Sequence, residues 1–214
     1  ALFIKGDVVR PHEALRLGVA RIKAIRETVG PDVDILVDAH CQTTPQMAVE
    51  VAQRIAEYRP FFIEEPTRPE DLCALEWVSQ RSPVPLATGE QLFTKFGFAD
   101  VCSKHLVNYI QPDVVHCGGI SELKKIAAMA EAHLIDCAPH NPQSFVSTMA
   151  SLHVNACTPN CVIQEITRGP EWQKDLFIGG PMIEGGYARL PSSPGLGIRL
   201  NEEVAAAHPA DESL

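Results

Sequence analysis

The sequence has no apolar run that approaches the ~18 residues of a membrane span. Its opening residues, ALFIKGDVVRPHEA, lack a basic stretch followed by a long apolar one, so a secretory leader is not expected. It has no excess of positive charge: 18 Lys and Arg stand against 27 Asp and Glu, a net charge of -9. That argues against a nucleic-acid groove and is compatible with carboxylates collected around a cation. It has no Cys-x-x-Cys pair. Cys41, Cys73, Cys102, Cys117, Cys137, Cys157 and Cys161 are scattered, an odd number that reads as buried thiols in a reducing cytosol. Cys157 and Cys161 lack the second pair a zinc site needs. The expectation is a single cytoplasmic domain of 214 residues, large enough for a sizeable core, with no nucleic-acid or membrane partner.

Six apolar stretches each end in a polar residue. These residues are Asp38 (after DILV), Glu64 (after FFI), Glu90 (after PLATG), Asp113 (after VNYIQP), His140 (after LIDCAP) and Glu165 (after CVIQ). They recur at intervals of 26, 26, 23, 27 and 25 residues. One strand, one helix and two short loops occupy about that length. A βα repeat that puts a titratable side chain at the same end of every strand builds a site at one mouth of a barrel.

Apolar periodicity predicts helices over 11–29, 45–58, 69–80, 94–104 and 143–157, and one after Ser121, which is placed to cap it. The helix over 69–80 starts with Pro69 and an acidic first turn, Glu70 and Asp71. Strands are predicted at DILVDAH, RPFFIEEP, VPLATGE, LVNYIQPD, LIDCAPH and CVIQE. Alternation of six strands with helices means a parallel α/β fold. A closed barrel needs eight strands, and the leading helix must itself follow one. Two strands are therefore expected ahead of residue 1, making the chain the later part of a larger protein. Residues 1–167 read as a partial parallel β/α barrel. Residues 168–214 differ, with many Gly and Pro, two strand-like runs (PMIEGGYARLP and GLGIRL) and a short terminal helix.

Asp38, Glu64 and Glu90 project from three consecutive strands. Each alone reads as a surface carboxylate in a loop; three at equal intervals do not. Converging carboxylates repel and need a cation, and oxygen ligands favour Mg²⁺. Asp113 and His140 end adjacent strands ~4.8 Å apart. A carboxylate on one imidazole nitrogen sets the tautomer and raises the basicity of the other. His40, two residues after Asp38, faces the same way if the strand continues. It reads either as a second acid/base group or as a loop histidine. Glu165 reads either as a ligand to substrate oxygens or as half of a salt bridge. Glu65 points away from Glu64 in a strand and is expected to pack with a basic neighbour. His116, beside Gly118 and Gly119, is unassigned.

The segments VDAH, FFIEEP, ATGEQLFTKFGF, IQPDVVHCGGISELKKIAAMAEAH, and APHNPQS ending in IQE resemble the enolase superfamily. The likeness is strongest to its mandelate racemase/muconate lactonizing branch, and within that to the sugar-acid dehydratases of galactonate type. It runs over residues 8–200. It implies a (β/α)8-like barrel with Asp38, Glu64 and Glu90 as Mg²⁺ ligands, His140 with Asp113 as the base dyad, His40 as general acid and Glu165 on the substrate. It also implies a hydro-lyase that acts on an aldonate and a homo-oligomer when full length. The segment 168–200 resembles the stretch returning to an N-terminal capping domain. That domain and the first two strands are expected upstream. Cys41-Gln42-Thr43-Thr44 stands where galactonate-type enzymes have a Gly-Arg-containing loop. Two alternatives stay open: a racemase or epimerase, with a second base on an earlier strand, and an inactive truncated fragment. The isolated chain is expected to be inactive.

Overall fold

Five short parallel strands carry the architecture: β1 Leu36–Asp38, β2 Phe62–Glu64, β3 Leu86–Thr88, β4 Tyr109–Ile110 and β5 Asp136–Cys137. Their order in the sheet is their order in the chain. This computed structural model describes residues 11–167, 169–180 and 182–209. The helices α1 Pro11–Val29, α2 Pro45–Ile55, α3 Leu72–Ser79, α4 Thr94–Ser103, α5 Ile120–Ala132 and α6 Phe145–Asn155 alternate with the strands. Sequential parallel strands joined by helices are the β/α winding of a barrel wall.

The two faces of the sheet bury different residues. Val37, Ile63, Leu86, Ile110 and Cys137 point to the helices and pack with Ile55, Val78, Phe98, Leu123 and Ile126 in the main core. Alternate positions point the other way. Phe62, Ala87 and Ala138 form a second, smaller cluster, flanked by Phe61 and Tyr109. The rings of Phe61, Phe62 and Tyr109 lie 4.9–5.4 Å apart. A sheet apolar on both faces is the parallel kind, and the aromatic cluster floors the inner side on which the carboxylates stand.

Three local expectations change. CVIQE is no strand: it joins the sheet by one parallel bridge, Cys137 to Cys161. Side-chain amides take the groups a ladder needs beyond it, with Gln164 Nε2 on Pro139 O and Asn141 Nδ2 on Glu165 O. Helix α3 begins at Leu72, not Pro69, because Asp71 is its cap and accepts from the Ala74 N–H. Ser121 caps nothing. The left-handed Gly118 and Gly119 (φ 113° and 84°) start α5 two residues earlier, with Gly119 at the cap position.

After residue 167 the chain forms two antiparallel pairs. β6 Phe177–Gly179 pairs with β9 Ile198–Leu200, and β7 Met182–Glu184 pairs with β8 Tyr187–Arg189 across Gly185 and Gly186. A short helix, α7 Glu202–Ala207, follows.

Candidate active site

Strand register decides where the six strand-end residues sit. Asp38 lies opposite Glu64, and Glu64 opposite Ala87, three residues before Glu90. Ala87 lies opposite Tyr109, four before Asp113, and Tyr109 opposite Asp136, four before His140. Cys161 lies opposite Cys137, which puts Glu165 five residues above the level of Asp136. The residues thus climb by 0, 0, 3, 4, 4 and 5 positions around the sheet. In an eight-stranded barrel of shear 8 the register advances by about one residue per strand. Five positions over five steps therefore hold the six residues near one height.

Asp38, His40, Glu64, Glu90, His140 and Glu165 line one cavity of about 540 Å³, with Leu36, Phe62, Ala138 and Ile163 as apolar wall. Asp113 lies behind that wall, fully buried. Its Oδ2 is 2.8 Å from His140 Nδ1, and its Oδ1 accepts the Val115 N–H at 2.7 Å. Burial pushes the Asp113 carboxyl up, but the His140 ring, the Val115 N–H and the His116 charge hold it below its usual value. Burial disfavours a charged His140, yet Asp113, Glu90 and Glu165 raise it. The Nδ1 contact leaves Nε2 toward the cavity, 3.3 Å from Glu90 Oε2.

Glu90 stands between two imidazoles, since its Oε1 is 3.7 Å from His40 Nε2. His40 reaches this place by a route other than the expected one. The strand does not continue past Asp38: His40 is left-handed (φ 53°) and its N–H turns back onto Asp38 Oδ1 at 2.7 Å. Glu65 also departs from expectation. Among the described residues it has no basic neighbour in its hydrogen-bond set, which is Thr88 Oγ1, Gly89 N–H, Cys41 Sγ and Gln91 Nε2. Its positive φ of 44° takes it out of strand alternation.

Among the described residues Glu165 makes no salt bridge to a cation: its Oε2 accepts the Asn141 N–H at 2.6 Å. Asn141 is itself buried, bonded to Thr148 and Ser147. Neither Asn141 nor Gln111, which lines the cavity, carries a charge that would have singled it out. His116 supports the rim, with Nδ1 3.1 Å from the Glu90 carbonyl oxygen.

Burial, and then the charges of Asp38, Glu90 and Glu165, lift the Glu64 carboxyl to about 7, against a lowering hydrogen bond from Gln111. Glu90 is raised too, first by burial. Among the described residues the Oε1 atom of Gln111 is buried without a donor. Crowded carboxylates plus an orphaned amide oxygen are a donor set of hard oxygens that suits Mg²⁺. As placed, no three His, Cys, Asp or Glu side chains among the described residues close into a coordination group. The three carboxylates, expected to meet in one shell, stand around one cavity.

All seven cysteines are free. Three are buried, while Cys73 and Cys157 are exposed, so the buried-thiol expectation holds only in part. Among the described residues no helix is long and apolar enough to cross a membrane.

Fold and cavity together define a parallel β/α protein whose acidic site lies at the C-terminal ends of its strands. The chain belongs to the enolase C-terminal domain-like family, whose model matches residues 3–204. A D-galactonate dehydratase of Ralstonia pickettii is 35% identical over 204 residues, 92% of this chain and 53% of that protein. A D-xylonate dehydratase of Haloferax volcanii is 33% identical over 188 residues, 87% of this chain and 46% of that one. The crystal structure of an enolase from Pantoea ananatis with bound D-gluconate and Mg matches with a TM-score of 0.88 at 30% identity, covering 97% of this chain and 52% of the other. The chain spans about half the length of the curated relatives it matches.

Proposed function

We propose that this chain carries the catalytic part of a Mg²⁺-dependent sugar-acid dehydratase that turns an aldonate into a 2-keto-3-deoxy acid. The observation that carries it is the His140–Asp113 pair, 2.8 Å apart, set beside three carboxylates in one cavity. Asp38, Glu64 and Glu90 would hold the cation. When bound, Mg²⁺ supplies positive charge against the substrate carboxylate as the α-proton leaves. Asp113 fixes the proton of His140 on Nδ1, so Nε2 carries the lone pair that takes the α-proton. His40, on the other oxygen of Glu90, gives a proton to the departing 3-hydroxyl. Loss of that water leaves an enol, which picks up a proton at C3 to give the keto acid. Glu165, held by Asn141, accepts from a substrate hydroxyl. The names of the galactonate and xylonate relatives and the gluconate-bound structure support an aldonate as substrate. Residues 1–167 form the catalytic unit in this reading, and 168–214 lead toward a cap over the site.

The test is made in the complete protein with a panel of aldonates. His140→Asn should abolish exchange of the α-proton with solvent deuterium and lower turnover by at least ~10²-fold, the usual worth of a positioned base. His40→Asn should spare exchange and stop water loss. Equal loss of exchange in both variants overturns the division of roles. Full turnover in excess chelator overturns the metal.

A further inference from the structure

Glu65 is only 1% exposed, yet among the described residues every donor that meets its carboxylate is neutral. Oε1 accepts from Thr88 Oγ1 at 2.6 Å and the Gly89 N–H at 2.8 Å. Oε2 accepts from the Cys41 thiol at 3.0 Å and from Gln91 Nε2 at 3.3 Å. The main chain adds two more ties: the Glu65 N–H donates to Ala87 O, and Glu65 O accepts the Cys41 N–H. A buried carboxylate without a cationic partner is an expensive way to fill space. What it alone offers is two oxygens that accept from four donors at once; an amide has one such oxygen. Those donors come from two separate turns. One contains Cys41, next to His40. The other is Thr88 to Gln91, with Glu90 inside it. Gln91 Nε2 also reaches Cys41 Sγ at 3.1 Å, which closes the link between the turns.

We propose that Glu65 is a positioning residue that ties the His40–Cys41 turn to the Thr88–Gln91 turn, fixing Glu90 and His40 at the separation that cation binding and proton delivery need. The inference rests on the metal-holding role read for Glu90 above. Hydrogen-bond partners behind metal ligands are worth ~10- to 100-fold in metal affinity when removed.

The experiment measures Mn²⁺ affinity of the complete protein by the EPR signal of free Mn²⁺, with a thermal midpoint for each variant. Glu90→Gln should abolish binding; if it binds like wild type, the metal reading itself fails. Glu65→Gln should weaken Mn²⁺ by ~10-fold or more. Thr88→Val removes one donor, leaves the carboxylate in place and should weaken binding in the same direction. It decides the matter if Glu65→Gln does not fold. Cys41→Ser restores a donor to Oε2 and should keep near wild-type affinity, whereas Cys41→Ala should lose some. A merely structural Glu65 lowers the thermal midpoint and leaves the Mn²⁺ affinity of folded protein unchanged. That result, with Glu90→Gln inactive in binding, overturns the inference and leaves the metal reading standing.

Discussion

Gly89 separates Thr88, whose hydroxyl meets Glu65, from Glu90, whose carboxylate meets both imidazoles. Its φ is 148°, and a Cβ there would lie 2.8 Å from Gln111 N, 2.9 Å from Gln111 C and 2.9 Å from Phe98 Cε1. Backbone and a buried ring cannot yield by that much, so Gly89→Ala should destabilise by about 2 kcal/mol or more. Urea unfolding checks this; a cost below about 0.5 kcal/mol would refute the close approach. Asp38, Glu64, Glu90, Asp113, His140 and Glu165 were legible in the sequence because each follows an apolar run and the βα repeat has a fixed length. Gln111 and Asn141 were not, because an amide inside a loop gives no signal of its own. The stated surroundings of Glu65 and the stated route to His40 failed for one reason. Both assumed that strand alternation continues, and both residues are left-handed.

Among the elements, α3 shows what a cap does. Asp71 accepts from the Ala74 N–H, whereas Glu70 sits in the turn ahead of the helix. Asp71→Ala should cost about 1 kcal/mol, and Glu70→Ala no more than about 0.5 kcal/mol, in the same urea assay. Reversal of the two would restore the start at Pro69. Glu122, in the first turn of α5, joins two helices. The Lys95 N–H at 3.0 Å, ahead of the Lys125 and Lys95 ammonium groups, holds its carboxyl at about 2. A lowered carboxyl stabilises the folded state above its ordinary value of 4.5 and stops doing so as pH falls toward 2. The gap in urea midpoint between wild type and Glu122→Gln should therefore be widest at neutral pH and close between those two values. A gap that widens in acid would show the opposite sign. Helix positions were readable because their apolar faces repeat over three or more turns. The strands came out shorter than the apolar runs, two or three residues each, because the backbone leaves the sheet as it enters the mouth.

At the scale of the whole molecule, the parallel class followed from alternation alone, but the near-constant height of the site came from register, which no single segment reveals. The same register places four carboxylates in one cavity, and relief of their repulsion should appear in global stability. At free Mg²⁺ a hundredfold above its Kd, the complete protein should gain about 2.7 kcal/mol, with a rise in Tm. Glu64→Gln should lose most of that gain, as calorimetry would show. An equal Mg²⁺ response in both proteins would place the ion elsewhere. The left-handed residues at the mouth carry a further consequence. His40, Cys41 and Glu65 hold φ values of 53°, 57° and 44°, where glycine sits without strain. A selection for heat resistance alone would find glycine at exposed His40 early and keep it, whereas at Glu65 it would forfeit the four donors of a buried carboxylate. The lineages that survived such a screen would be hardier and idle, because the side chain discarded is the one read above as the proton donor.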